Sequence, residues 1–345
     1  MFRIDKLEYY DRFRCVMGKC PENCCEMNWN ILVDAAAYER YQNCGEEVLR
    51  GFISAEEPHR ILKRENRCPF FMDDGLCFLH KEYGEDFLCE TCKSYPRFTS
   101  MYEDLYVLSL TPSCPAVLDI LWEEKETGNI KTELCYENVE ELSCKSFKMS
   151  EKLAQKVSLR DQMIEELVRK EGSLEIRLCR IEERFGMGKR QGQIAGNLLF
   201  IENFILNHCM VNSRIKAQAE KIIKSPIEQK ENINIEKHSK MLVSKCKGFE
   251  NFFENILVYW IFEHILRIEN TERETVSIWM ERVRLMLATL QYWILLFYCA
   301  QGEVGREDCN TAVYSIMRVL DHSDEMMESY YQDWKNYGMI PKILC

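Results

Sequence analysis

Residues 14–25 read RCVMGKCPENCC, which places four cysteines within eleven positions around Gly18 and Pro21. A second group lies in residues 67–97, which read RCPFFMDDGLCFLHKEYGEDFLCETCKSYPR and contain Cys68, Cys77, Cys89 and Cys92. Soft thiolate ligands select zinc or iron–sulfur clusters, and a Cys-x-x-Cys step lets both sulfurs reach one metal. The spacing therefore predicts a metal centre in the first third of the chain.

Nine cysteines form the predicted ligand set, because Cys114 in SLTPSCP follows a predicted strand and joins the two groups. The set is Cys15, Cys20, Cys24, Cys25, Cys68, Cys77, Cys89, Cys92 and Cys114. Spacing does not identify the metal or the number of centres. Side chains of neighbouring residues diverge, so one of Cys24 and Cys25 is expected to serve a second centre or to stay free. Cys44 lies in a helix-like stretch and is left out. The remaining cysteines lack ligand-like spacing and are interpreted as scattered thiols: Cys135, Cys144, Cys179, Cys209, Cys246, Cys299, Cys309 and Cys345.

Charge and hydropathy narrow the class of protein. The chain has 345 residues, 18 cysteines and a net charge of −11, and it is acidic on both sides of Cys114. The chain therefore has no excess of basic residues that would bind nucleic acid or an anionic membrane. The first residues, MFRIDKLEYYDRFRC, have no apolar core of a signal peptide. The longest apolar run has nine residues, at 292–300, whereas a transmembrane helix needs about 20. These features predict a cytoplasmic protein whose thiols stay reduced.

The distribution of cysteines predicts two domains. Ten of the 18 lie within residues 15–114. We predict a cysteine-rich metal- or iron–sulfur-binding domain over 1–125 and an α-helical domain over 126–345. The expected fold class is mainly α, with an irregular first part that contains little β structure. In that part the patterns predict helices at 34–41, 46–55 and 83–94, and a strand pair at 75–79 and 102–110. In the second part, apolar residues at helical spacing predict helices at 150–170, 174–185, 193–224, 249–267, 274–300, 306–320 and 323–334.

The cysteine motifs resemble the flagellin lysine-N-methylase family, which is related to zinc- or iron-chelating domains named after the pattern CxxCxxCC. The resemblance rests on FRCVMGKCPENCC, on CPFFMDDGLCFLHKEYGEDFLCETCKSYPR and on LSLTPSCP, and extends loosely into FENILVYWIFEHI. This sequence departs from the CxxCxxCC spacing in its first group. The resemblance implies methyl transfer from S-adenosylmethionine to lysine side chains of flagellin before export, with a [4Fe–4S] cluster, or alternatively Zn²⁺, bound by the cysteines.

Methyl transfer to lysine needs a group that accepts the proton of the ammonium. Carboxylates and tyrosines close to the cysteines supply candidates, which are Asp73, Asp74, Glu82, Tyr83 and Tyr95. We predict that Tyr83, Asp74 and His80 are catalytic, and a metal ligand and a core histidine are the alternative roles for His80. Arg97 and Tyr95 are predicted to bind the cofactor, because a guanidinium pairs bidentately with a carboxylate. A structural salt bridge is the alternative for Arg97.

The sequence also leaves two other functions open. A glycine-rich nucleotide loop, a P-loop and an HExxH motif are all missing from the chain. The alternatives are therefore a non-enzymatic zinc- or iron-chelating adaptor and an iron–sulfur redox or sensor protein. If the centre is a [4Fe–4S] cluster with an open iron, radical chemistry is an alternative to polar methyl transfer. The expected partner is flagellin as a protein substrate, without nucleic acid or membrane.

Overall fold

The fold is mainly α-helical, as the sequence predicts, with one small sheet. A computed structural model describes the chain except for residues 28, 46, 65–66, 127, 136–147, 186–197, 209–219, 221–222, 224–241, 243–245 and 338–345. Predicted buried thiols at Cys144, Cys209 and Cys345 lie outside the described residues.

Four strands form the sheet, in the order β2-β3-β1-β4. They are β1 (Phe2–Leu7), β2 (Arg97–Tyr102), β3 (Leu105–Leu110) and β4 (Ile130–Cys135). β3 pairs antiparallel with β2 and parallel with β1, and β4 closes the other edge antiparallel to β1. The predicted strand at 102–110 is thus confirmed over β3, where Leu105 and Val107 are buried beside less buried neighbours.

The predicted strand at 75–79 is wrong. Gly75 adopts a φ of +79°, which glycine tolerates because it has no Cβ, and its amide bonds back to the carbonyl of Met72 at 3.1 Å. A helix then begins at Phe78, and an isolated bridge joins Phe71 to Cys77. The turn predicted at Asp73-Asp74-Gly75 is present, and it leads into a helix instead of a strand.

Short helices cross the cysteine-rich segment. They are α1 (Ala35–Asn43), α2 (Glu47–Arg50), α3 (Phe78–Tyr83) and α4 (Glu90–Ser94). The first agrees with the prediction at 34–41, whereas the second is shorter than predicted. The helix predicted at 83–94 is wrong as a continuous element, because Gly84 with a φ of +85° ends α3 and a 3-10 turn separates it from α4.

Long helices make up the second part. After α5 (Pro115–Glu123) come α6 (Glu151–Val168), α7 (Leu174–Phe185), α8 (Leu198–His208), α9 (Phe249–His264), α10 (Arg273–Gln301), α11 (Arg306–Leu320) and α12 (Asp324–Tyr337). They match the predicted positions, apart from 193–224, where the described continuous helix is α8. Among the described residues α10 is the one helix long and apolar enough to span a membrane, and 78% of its apolar window is buried inside the protein.

Two apolar clusters organise the described residues. The larger joins the inner face of the sheet and α5 to the helices α6 to α12. The smaller contains a dozen buried residues between Ile31 and Cys89, drawn from the cysteine-rich segment. The predicted domain division at residue 125 stays a prediction.

Candidate functional site

A cleft of about 660 Å³ lies between the cysteine-rich segment and the sheet and helices. Its wall comes from the loop after β1, the turn before α3, the end of α4, the start of β2, the start of α5 and the connection between α11 and α12. Seven of the nine predicted ligands line it: Cys15, Cys20, Cys24, Cys25, Cys77, Cys92 and Cys114. Cys68 and Cys89 are buried behind this wall.

Three thiols gather around Cys25. Its side chain hydrogen-bonds with Cys24, Cys68 and Cys77. These hydrogen bonds raise the pKa of Cys25, whereas its hydrogen bond lowers the pKa of both Cys24 and Cys68. The pKa of Cys77 falls to about 6, chiefly because Cys25 hydrogen-bonds to it. A thiol with this pKa is available as a thiolate near neutral pH, and the thiolate is the form that binds metals.

Cys89 and Cys92 form a second thiol pair, as their Cys-x-x-Cys spacing predicts. The hydrogen bond between them lowers the pKa of Cys89 and raises that of Cys92. Cys92 also feels the charges of Cys24 and Cys68, so the pair lies close to the thiols around Cys25. The fold therefore brings together six sulfurs that are far apart in the sequence.

Three of the predicted ligands occupy the position directly before a helix. Cys77 precedes α3, Cys89 precedes α4 and Cys114 precedes α5. At a helix start the first amides have no partner within the helix, and their partial positive charge favours a nearby thiolate. The amides of His80 and Leu79 help to lower the pKa of Cys77, and those of Val117 and Ala116 oppose the effect of burial on the pKa of Cys114. None of the three side chains forms a capping hydrogen bond, so the effect is electrostatic.

Cys15, Cys20 and Cys114 line the cleft beside the thiols around Cys25. Burial raises the pKa of Cys15, that of Cys20 to about 11 and that of Cys114 to about 12. The thiol of Cys20 donates to the carbonyl of Glu22 at 3.3 Å, and Cys15 accepts from the amide of Met17 at 3.4 Å. Without a metal these three thiols therefore favour the protonated form.

The cysteine sulfurs are the kind of ligand that a soft metal ion prefers. Two cationic side chains lie near them and favour their thiolate forms. Lys63 donates to the carbonyl of Met27 and feels the charges of Cys25 and Cys68, while Arg318 helps to lower the pKa of Cys24. In the described part of the chain, however, no group of three or more His, Cys, Asp or Glu side chains is arranged to hold a metal ion. The sulfurs therefore lie near one another, but they are not yet arranged around a single point as metal ligands would be.

The structure brings three of the five other predicted site residues to the cleft. His80, Tyr95 and Arg97 line it. The hydroxyl of Tyr95 lies 3.1 Å from that of Ser113, and the guanidinium of Arg97 lies over Phe13, 5.0 Å from the ring centre. In the described residues Arg97 forms no salt bridge, which was the alternative prediction for it.

Tyr83 and Asp74 are not among the residues that line the cleft. The ring of Tyr83 stacks on Phe87 at 4.3 Å, and the side chain is 37% exposed. Asp74 pairs with Lys81 at 2.8 Å and accepts from the amide of Leu76, so that its pKa is lowered. Their catalytic role stays a prediction.

Sequence reasoning missed the residues that complete the cleft from a distance. His322 follows α11 and packs against Trp29, with ring centres 4.7 Å apart, and edge-on against Phe98 at 5.2 Å. Its Nε2 atom lies 2.8 Å from the hydroxyl of Ser113. More than 200 residues separate His322 from the cysteine motifs, and no spacing signal in the sequence connects them.

Arg318 holds the two sides of the cleft together. This buried side chain donates from Nε to the carbonyl of Ser113 at 3.1 Å and from a terminal nitrogen to the carbonyl of Glu22 at 3.0 Å. Ser113 precedes α5, whereas Glu22 lies between Cys20 and Cys24. The guanidinium therefore fixes the first cysteine loop against the helical part.

Comparison with curated proteins gives related sequences. A lysine-N-methylase of Salmonella typhimurium is 28% identical over 123 residues, which make up 32% of this chain and 30% of that protein. The flagellar biosynthetic protein FliU of Salmonella muenchen is 27% identical over 122 residues, or 32% of this chain and 70% of FliU. A lysine-N-methylase of Salmonella choleraesuis is 27% identical over 123 residues, again 32% of this chain and 30% of the relative.

The match spans less than a third of the two lysine-N-methylases. No protein-family model matches the chain, and no solved structure matches it. The names of the relatives support a methyltransferase at the level of the family. The resemblance of this chain to the lysine-N-methylase and FliU proteins is thus confirmed over about a third of its length.

Proposed function

We propose that this protein is a cytoplasmic protein-lysine N-methyltransferase that uses S-adenosylmethionine to methylate flagellin, with a metal centre bound by its cysteines. The observation that carries the proposal is the cleft itself, in which thiols, aromatic rings and Arg97 share one cavity of about 660 Å³. That volume suits a small-molecule ligand. The relatives named lysine-N-methylase and FliU supply the reaction and the flagellar setting.

The cleft wall offers a binding group for each part of S-adenosylmethionine. Trp29, Tyr95 and Phe98 present aromatic surface, which stacks with an adenine ring and attracts the positive sulfonium. Arg97 begins β2 at the same wall, and its guanidinium matches the carboxylate of the methionine moiety. The residues come from both sides of the cleft, so a bound cofactor would bridge the cysteine-rich segment and the helical part.

The chemistry of the transfer is simple. The neutral lysine nitrogen forms a bond to the methyl carbon while the carbon–sulfur bond breaks, which yields a methylammonium and S-adenosylhomocysteine. A group in the cleft must first take the proton of the ammonium. The net charge of −11 favours a cationic side chain over an anionic one, an attraction that salt would weaken.

The metal centre of this proposal would be held by Cys25, by the three thiols around it and by the pair Cys89 and Cys92. A centre of this kind supplies folding free energy to a region with a small apolar cluster. Cys15, Cys20 and Cys114, which face the cleft, are the additional ligands that the sequence predicts. A [4Fe–4S] cluster is proposed, with Zn²⁺ as the alternative.

Anaerobic purification followed by metal and sulfide analysis tests the centre, and mass spectrometry of flagellin tests the reaction. We expect a brown protein with iron and acid-labile sulfide, and additions of about 14 Da, the mass of one methylene, on flagellin lysines with S-adenosylmethionine present. Arg97→Ala is expected to weaken binding of S-adenosylmethionine, whereas Arg180→Ala, on the exposed side of α7, serves as the matched control.

Unmodified flagellin in the presence of an intact metal centre would contradict the methyltransferase. Cys68 and Cys89 are buried behind the cleft wall, a position that favours a structural centre, so the adaptor is the second candidate function. Stoichiometric zinc, no methyl transfer and no binding of S-adenosylmethionine would together support it.

A further inference from the structure

A buried hydrogen-bond network runs from the cleft into the helical core. At its inner end the carboxylate of Asp321 accepts from the hydroxyl of Tyr259 at 2.7 Å, from the hydroxyl of Thr111, and from Nε2 of His264 at 2.7 Å. Asp321 is 3% exposed, and Thr111 is fully buried. The network joins α9, the connection after β3 and the connection after α11.

At its outer end the same network reaches the cleft. The hydroxyls of Thr111 and Ser113 are 3.0 Å apart, and the amide of Ser113 donates to the Thr111 hydroxyl at 3.1 Å. The Ser113 hydroxyl in turn lies 2.8 Å from Nε2 of His322 and 3.1 Å from the hydroxyl of Tyr95. Tyr95 and His322 both line the cleft.

The protons in this hydrogen-bond network can be assigned by counting the donors. Burial raises the pKa of Asp321, but the hydrogen bonds from His264 and Thr111 oppose this effect and the pKa is lowered, so the carboxylate is ionised and can only accept. Thr111 therefore gives its single proton to Asp321. The bond between the two hydroxyls then requires the proton of Ser113.

Ser113 has no second proton to give, so its other two neighbours must donate to it. Tyr95 donates its phenolic proton, and His322 donates from Nε2. A neutral imidazole that carries its proton on Nε2 has a lone pair on Nδ1. Within the described residues Nδ1 of His322 has no hydrogen-bond partner, and the ring is exposed where it borders the cleft.

We propose that His322 is the group in the cleft that accepts the proton of the substrate ammonium, through Nδ1, and that Asp321, Thr111 and Ser113 are positioning residues that fix its tautomer. This inference rests on the proposed methyl transfer. The proton moves from the lysine ammonium to Nδ1, which leaves a neutral amine that attacks the methyl carbon and an imidazolium that is hydrogen-bonded through Nε2. The imidazolium later releases the proton to water.

The surroundings of His322 suit this role. Partial desolvation in the cleft wall and the positive charge of Arg318 lower its pKa against the opposing effect of Asp321, so the imidazole is neutral near pH 7 and ready to accept a proton. Trp29 and Phe98 hold the ring in place from two directions. His80 and Lys81, which line the opposite wall, are the other cationic or titratable nitrogen groups that face this space besides Arg97.

Nitrogen NMR of the metal-loaded, histidine-labelled protein measures the tautomer directly. We expect the His322 signals to show a proton on Nε2 and a lone pair on Nδ1, with His322→Gln used to assign them among the six histidines. Thr111→Val removes the hydroxyl that links Ser113 to Asp321, and it is expected to yield a mixture of His322 tautomers. Thr111→Ser keeps the hydroxyl and is expected to restore the wild-type signals, a rescue that a merely space-filling role would not require.

Kinetics with flagellin measure the proton transfer. His322→Gln is expected to lower kcat by about 100-fold or more, the usual size of a general-base contribution, while the Kd for S-adenosylmethionine stays unchanged. Thr111→Val is expected to lower kcat by a smaller factor. His208→Gln, an exposed histidine near the end of α8, is the control and is expected to leave both constants unchanged.

The outcomes separate this inference from the proposed function. An active wild-type protein whose His322→Gln variant is equally active would overturn the role of His322 and leave methyl transfer intact. A proton on Nδ1 in the wild-type protein would overturn the positioning role of Asp321 and Thr111. Absence of methyl transfer by the metal-loaded wild-type protein would overturn the proposed function, whatever tautomer the NMR spectrum shows.

Discussion

The cysteine-rich segment and the helical part bury very different amounts of apolar surface. The described residues of the larger cluster include 65 buried side chains, whereas the smaller cluster between Ile31 and Cys89 has 12. A small apolar core rarely stabilises a region without disulfides or metal ions. The comparison indicates that the helical part folds by apolar burial, and that the cysteine-rich segment depends on its thiols.

Thiols in the two regions also differ in their neighbours. In the helical part, the described thiols with a thiol partner are Cys246 and Cys309, whose hydrogen bond lowers the pKa of Cys246 to about 7. In the cysteine-rich segment Cys25 alone has three thiol partners. The thiols around Cys25 all belong to the two groups that the spacing identified, whereas the spacing gave no sign of the pair between Cys246 and Cys309.

The largest expected effect is the loss of a central thiol. Cys25→Ser removes the sulfur that contacts three others, so we expect metal-poor protein that is insoluble or unfolded in residues 15–94. Cys179→Ser, on α7 in the helical part, is the matched control and should leave solubility and metal content unchanged. Metal analysis and hydrogen exchange measure both. Equal behaviour of the two variants would contradict the division of the cysteines.

A buried charge in the helical part comes next. Glu254, fully buried on α9, pairs with Arg177 and with Lys170, and Arg177 is itself 2% exposed. Glu254→Gln leaves the buried guanidinium with Glu250, at 3.0 Å, as its remaining charged partner, and we expect a loss of about 1.5–3 kcal/mol in the free energy of unfolding, the size of one hydrogen bond to a charged group. Denaturant unfolding measures it. Glu165→Gln, an exposed partner of Arg169 at 3.9 Å, should change this free energy by less than about 1 kcal/mol.

A matched pair of small deletions tests whether the two apolar clusters are independent. Ile256→Val in the larger cluster and Ile53→Val in the smaller one each remove one buried methylene group. We expect each change to lower the free energy of unfolding by about 0.5–1.5 kcal/mol, because one methylene group contributes little apolar burial and leaves only a small cavity. Hydrogen exchange should show faster opening only in the region that carries the change. Faster opening of both regions would mean that they unfold as one unit.

The last comparison concerns the pH dependence of stability that arises from Asp321. Because the folded protein lowers the pKa of this carboxyl below its usual value, its ionised form stabilises the fold at neutral pH. That stabilisation is present above the pKa of the unfolded chain, about 3.9, and decreases as the pH falls through the lower folded value. Thermal unfolding of Asp321→Asn should therefore show a weaker pH dependence on the acid side than the wild type. Parallel profiles would contradict the network around Asp321.

The sequence by itself determined most of the long helices and the grouping of the cysteines along the chain. Apolar residues at helical spacing fixed α6, α7 and α9 to α12, because that periodicity demands one buried face. The cysteine spacing identified two groups of thiols and the pair Cys89 and Cys92, since short loops keep such sulfurs close, whereas the contacts of Cys25 with Cys68 and Cys77 join the two groups and depend on the fold. His80, Tyr95 and Arg97 followed from their proximity to these motifs in the chain.

Only the tertiary structure decided which distant residues share the cleft. His322 reaches it, and Arg318 bonds to the carbonyl of Glu22 in its wall, because α11 packs beside α5, and neither residue carries a local signal that marks it. The sheet joins Phe2–Leu7 to a strand about a hundred residues later, a pairing that depends on long-range closure and not on a local pattern. Tyr83 and Asp74 lie near the cysteines in sequence but outside the cleft wall, because Gly75 and Gly84 turn the chain on either side of α3. Proximity along a chain fixes position only within one element, and each turn redirects the side chains that follow.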